Sequence, residues 1–118
     1  MANVYKNIQA TISSAGSDVD MYTSPTATTS IVKTIRLYNT HSGNLVVDVT
    51  VYDASSTTDF EWEKITVNTD ASENLLTNNN LLVLEAGDIL KMQTPTTNVV
   101  KMTAAVLQIT RPPEVTIT

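Results

Sequence analysis

Glu61 and Glu63 stand two positions apart, the spacing that puts both side chains on one face of a β-strand. Two carboxyl groups held about 5–10 Å apart are the core of a glycoside hydrolase, one acting as acid and the other as base or nucleophile. Such a site also needs an aromatic-lined cleft, and the chain holds one Trp and one Phe. With Lys64 beside them, the two glutamates read better as a solvated strand face. Asp18 with Asp20, and Asp53 with Asp59, flank turns, but neither pair has the ligand spacing of a calcium loop. A weak surface calcium site is the most they offer. His41 is the single histidine and there is no cysteine, so thiol–imidazole catalysis and histidine-based metal cages are excluded. No serine lies in a Gly-x-Ser-x-Gly elbow, which leaves His41 as a solvated turn residue. Gly16, Gly43 and Gly87 lie too far apart to cradle a phosphate. The expectation is a protein with no catalytic site, no cofactor and no metal.

The elements around these residues are short runs of alternating apolar and polar residues, each bounded by turn-forming types. Val4 to Ile12 places Val4, Ile8, Ala10 and Ile12 on one face. Val19 to Ser24 forms a second strand before Pro25, and Thr26 to Ser30 reads as a polar loop. In Ile31 to Asn39, Lys33 breaks the alternation and predicts a bulge near the strand start. The cleanest alternation is Leu45, Val47, Val49 and Val51 inward against Asp48, Thr50 and Tyr52 outward. His41 to Asn44 lies between these two runs, with Gly43 and Asn44 suited to positive φ, so the pair reads as a hairpin. That hairpin would place Tyr38 and Tyr52 on adjacent strands and one outer face, as an interface anchor. Phe60 to Val67 carries a phase flip near Glu63-Lys64, which predicts a second bulge. Asn74-Leu75-Leu76 reads as a short paired segment. Leu81 to Leu84 is apolar throughout, which predicts a strand covered on both faces, with Leu81 and Val83 against a neighbouring subunit. Glu85 to Asp88 turns the chain into Ile89 to Thr94, and Val99 to Thr110 is the last long strand.

Composition agrees with this pattern. Apolar residues make up 42% of the 118, aromatics only 5%, and threonine, stiff at χ1 and suited to a pleated surface, recurs in pairs. About eight short strands without a helix between them predict one all-β domain, an antiparallel β-sandwich of jelly-roll or immunoglobulin type. It spans residues 1–111. Residues 112–118 form a C-terminal arm, stiffened by Pro112 and Pro113, in which Val115 and Ile117 alternate like a strand and can add to a neighbouring subunit. The formal net charge is −5, and the seven Lys and Arg residues are scattered singly, which argues against nucleic acid as a partner. No run approaches the roughly 20 apolar residues of a membrane helix, and the first residues lack the layout of a signal peptide. The chain is expected to be soluble and made in the cytoplasm.

Four segments in order carry a resemblance. Tyr22-Thr23-Ser24-Pro25 precedes a Thr-rich loop and Ile31-Val32-Lys33-Thr34-Ile35-Arg36-Leu37-Tyr38-Asn39. Asn74-Leu75-Leu76 follows, and then Leu81-Leu82-Val83-Leu84-Glu85-Ala86-Gly87-Asp88-Ile89-Leu90-Lys91. The chain from Tyr22 to Lys91 resembles small virion structural proteins of tailed bacteriophages, including those infecting cyanobacteria. The resemblance implies a β-sandwich that works by assembly, on the capsid exterior, as a cement or decoration protein. Its implied partners are the major capsid protein and further copies of itself, as a homotrimer. The same group of proteins includes tail-, neck- and fibre-associated sandwiches that bind receptors or surface glycans, the alternative role. The motifs are signatures of a fold rather than of an active site.

Overall fold

The computed structural model describes residues 2–76 and 81–110, so the C-terminal arm with Val115 and Ile117 lies outside the described residues. Nine strands and no helix occur among them, and the expected antiparallel β-sandwich is what they build. The strands are β1 Ala2–Thr11, β2 Val19–Thr23, β3 Thr28–Asn39, β4 Leu45–Asp53, β5 Thr58–Val67, β6 Ser72–Asn74, β7 Leu82–Leu84, β8 Ile89–Gln93 and β9 Val100–Thr110.

Their pairing follows one rule. β4 pairs with β5, β3 with β6 and β7, β2 with β8, and β1 with β9, all antiparallel. The chain is thus one long hairpin whose tip is the β4–β5 turn. Rolled up, it gains two further pairings, β3 with β9 and β4 with β8. Sheet I is then β1-β9-β3, with β6 and β7 end to end along the far edge of β3, and sheet II is β2-β8-β4-β5. A rolled hairpin split into two sheets is the jelly-roll topology. The immunoglobulin-like alternative is not the one this chain adopts.

The rolled topology corrects the expected β3–β4 hairpin. Both edges of β3 are occupied, by β9 on one side and β6 and β7 on the other, while β4 sits in sheet II between β8 and β5. The segment His41 to Asn44 crosses between sheets instead of closing a turn, and neither Gly43 nor Asn44 takes a positive φ. Leu45, Val47 and Val49 do face inward, from the opposite sheet. Alternation set the face correctly and the partner wrongly.

Two bulges behave as the sequence implies. Lys33 is the extra residue of β3 between Val32 and Thr34, opposite consecutive residues Val106 and Ala105 of β9. In β5 the shift falls at Trp62, because Val49 pairs with Glu63 and Thr50 with Glu61. The core between the sheets holds Ile12, Ile35, Leu37, Val47, Met92 and Met102, all essentially inaccessible to water. β2 is only five residues long, so sheet II stops short of the start of β1. Lys6, opposite the inward-facing Val106, is left exposed there. A charge on the inner face of an edge strand discourages pairing with another chain.

β3 begins at Thr28, within the segment expected to be loop. Thr28 and Ser30 point inward, and their hydroxyls are buried in a polar cluster, so their polarity disguised a strand. The Glu85–Asp88 turn is tight as expected: Asp88 N–H donates to the Glu85 carbonyl at 3.0 Å, and Gly87 adopts φ +85°. A Cβ on Gly87 would stand 3.1 Å from the Ala54 Cβ, so only glycine suits the position.

The β4–β5 tip includes a less comfortable residue. Thr57 has φ 51°, a left-handed conformation that β-branched residues disfavour. Asparagine tolerates it better. Thr57→Asn is expected to raise stability by about 0.5–1 kcal/mol, seen as a melting temperature a few degrees higher. An unchanged or lower midpoint would contradict the strain.

Candidate interaction surface and acidic groove

The bulge at Trp62 opens a groove of about 620 Å³ on the outer side of sheet II. Asp18, Asp48, Asp59, Glu61 and Glu63 line it, together with Trp62 and Lys64. The structure therefore brings together the two glutamates and members of both aspartate pairs singled out from the sequence. The bulge also breaks the regular two-residue spacing: Glu61 sits opposite Thr50 and Glu63 opposite Val49. Trp62 is half-buried and packs against the core, so its ring does not serve as an open stacking platform. Lys64 pairs with Asp48 at 3.6 Å and Lys91 with Asp59 at 3.4 Å. Among the described residues no three of His, Asp and Glu converge as metal ligands. The groove's chemistry is that of an anionic surface, able to receive cationic side chains.

His41 and Asp53 lie elsewhere. The described hydrogen bonds of His41 run through its backbone, whose N–H donates to Asn39 Oδ1 at 2.8 Å and whose carbonyl accepts from Thr69 Oγ1. Asp53 begins the β4–β5 turn, where its carboxylate accepts from Ser55 Oγ at 2.7 Å, Ser55 N–H at 3.0 Å and Ser56 Oγ at 3.1 Å. The Ser55 hydroxyl above all holds the Asp53 carboxyl below its ordinary value of 3.8, partly offset by desolvation. A depressed pKa in the fold means that the folded protein favours the ionised form. The resulting stabilisation is complete above the unfolded value and is lost as pH falls through the folded one. An acid titration of stability should therefore show Asp53→Asn less stable than the parent at neutral pH, with the gap closing below about pH 3.8. A gap that persists into stronger acid would remove the carboxylate as its cause.

The outer face of sheet I has a different character. Tyr5 on β1 pairs with Leu107 on β9, Leu107 with Ile31 on β3, and Ile31 with Val83 on β7. Directly paired residues share a face, so four large apolar side chains form a row across the whole sheet. Tyr5 is 71% exposed and Val83 54%. Leu81, just before β7, is also exposed, and Ile109 extends the patch along β9. Lys33 lies 5.0 Å above the Tyr5 ring, a cation–π contact that fixes the ring over the bulge.

Of the residues expected at an interface, Leu81 and Val83 are on or beside this row. Leu82 and Leu84 point into the core between them, so among the described residues β7 is covered on one face only. The Tyr38–Tyr52 anchor does not form. Tyr38 faces outward from sheet I, opposite Lys101, whereas Tyr52 lies on sheet II opposite Asp59 and Ile89. The two rings stand on opposite sides of the sandwich, a consequence of β3 and β4 belonging to different sheets. Tyr5, Ile31 and Leu107 were missed as surface residues. Their signal was present, since Ile31-Val32 and Val106-Leu107 put neighbouring apolar residues on both faces of a strand. Comparison with models of known families and with curated proteins gave no match to the chain, so its own surfaces carry the functional reading.

Proposed function

We propose that this protein is a non-enzymatic structural component of a tailed-phage virion: a cement protein on the capsid exterior that holds neighbouring major capsid subunits together. The observation that carries assembly is the apolar row Tyr5–Leu107–Ile31–Val83 on the outer face of sheet I. Monomeric proteins rarely leave a large contiguous apolar patch in water, and such patches mark binding surfaces. The virion enters through the resemblance running from Tyr22 to Lys91. Double-sheet jelly rolls occur among viral capsid domains, which supports the same reading, although lectins and cupins share the architecture.

Imaging of purified virions with an antibody or a fused tag tests the proposal directly. Many copies spread over the head are expected, with subunit-level mass spectrometry giving a high stoichiometry. A few copies confined to the tail would replace cement by the receptor-binding alternative. Absence from the particle would reject both.

A further inference from the structure

The outer faces of the two sheets differ in charge as well as in apolar content. On the outer face of sheet I, the charged residues of β3 and β9 are Lys33, Arg36 and Lys101, and among the described residues no carboxylate of the sheet's strands shares the face; exposed Glu85 lies just past β7, at its rim. None of the three forms an ion pair among the described residues; Arg36 donates instead to Ser72 Oγ at 3.0 Å. Sheet II is the reverse. Asp20, Asp48, Asp59 and Glu61 stand on or beside its outer face, and its two lysines are already engaged by Asp48 and Asp59. Asp20 and Glu61 remain without an ion-pair partner among the described residues. Apolar groups sit among the acids, with Val46 exposed and Ile89 and Tyr52 half-exposed.

We infer that copies of this chain associate head to tail, the outer face of sheet I on one copy seated against the acidic outer face of sheet II on the next. This arrangement covers the apolar row with the apolar residues of sheet II and brings unpaired cations to unpaired carboxylates. Pairing sheet I with a second sheet I would cover the same row but set three cations against three cations, and like charges across an interface are penalised. The contact is heterologous, so it generates a closed ring or an open stack. Neighbouring strands lie about 4.8 Å apart and rise about 3.3 Å per residue, so the four-strand face of sheet I offers roughly 500 Å². Both partners together would bury about 1,000 Å², the lower end of specific interfaces, the size at which weak, reversible contacts are found. This contact does not depend on which particle the protein decorates.

Sedimentation velocity of the purified chain from roughly 1 to 500 µM reads the association. The parent is expected to form larger species as concentration rises. Two variants confined to exposed or half-exposed positions isolate the faces: Arg36→Gln/Val83→Ser/Lys101→Gln on sheet I, and Asp20→Asn/Asp48→Asn/Glu61→Gln on sheet II. Each alone should bind at least about tenfold more weakly and remain monomeric, with a parent-like circular dichroism spectrum. Mixed in equal amounts, they should form a 1:1 pair and stop, since each retains one competent face. A parent that stays monomeric throughout overturns the inference. So does a sheet II variant that associates like the parent, because sheet I would then be binding itself, and so does a mixture that remains monomeric.

Discussion

Asn39→Ala is expected to destabilise the fold by about 3 kcal/mol, lowering the melting temperature by about 12–20 °C. Asn39 is fully buried at the point where β3 leaves sheet I. Its amide Nδ2 donates to the Val67 carbonyl at 2.9 Å and to the Gly43 carbonyl at 3.0 Å, while its Oδ1 accepts from His41 N–H at 2.8 Å. One side chain therefore ties the crossing segment to the end of β5. Its backbone does as much, with Asn39 N–H donating to Ala71 and its carbonyl accepting from Asp70. Alanine removes all three bonds, the one to the Val67 carbonyl in a fully buried place and those with Gly43 and His41 in partly buried ones, and each unsatisfied buried group costs about 1–3 kcal/mol. Asn39→Asp should be at least as damaging, since both donors are lost and a charge is placed where none is compensated. Thr40→Ala, at an exposed neighbour with one side-chain bond to the Val99 carbonyl, serves as the control and should cost under about 1 kcal/mol. Equal loss in the two variants would mean that the crossing is held by the backbone alone.

The same crossing marks the limit of what the sequence discloses. The alternation from Leu45 to Val51 identifies a strand with one buried face, and the break at Lys33 identifies a bulge. Both are local properties, written in residues that touch one another along the chain. Strand partnership is not local here. β3 bonds to residues 100–110, 72–74 and 82–84, and nothing in residues 31–44 distinguishes that roll from a simple hairpin. The Tyr38–Tyr52 pairing failed for this reason alone. The exposed row on sheet I is assembled from four segments as far apart as Tyr5 and Leu107, so no window of sequence contains it. Single members could be suspected wherever an apolar residue followed another across the pleat. The alignment of four such members across one sheet required the register.

The interior offers a second kind of illegibility, and a second large effect. Thr28 and Ser30 lie in a segment whose polarity suggested a loop, yet with Tyr22 and Ser24 they form a hydroxyl network between the sheets. Tyr22 Oη lies 2.7 Å from Ser30 Oγ and accepts from Gln108 Nε2 at 2.7 Å. Ser30 Oγ in turn lies 2.8 Å from Ser24 Oγ, whose proton has the Thr28 carbonyl in reach at 3.0 Å. Among the described residues no buried side-chain polar atom is left without a partner. A satisfied network gives its worth back when one member is cut, because the remaining members are then buried and unpaired. Tyr22→Phe should therefore cost about 2 kcal/mol, orphaning Gln108 Nε2 and removing a partner from Ser30. Gln108→Met, close in volume, should cost about 1 kcal/mol, since Tyr22 keeps Ser30. The two together should cost less than their sum by about 1 kcal/mol, because with the tyrosine hydroxyl gone no donor at position 108 needs it. Urea denaturation of the four proteins of this cycle measures the coupling. Strict additivity would show that the two groups are solvated independently, and the inward-facing start of β3 would then owe its order to backbone pairing with β9 and β7 rather than to the network.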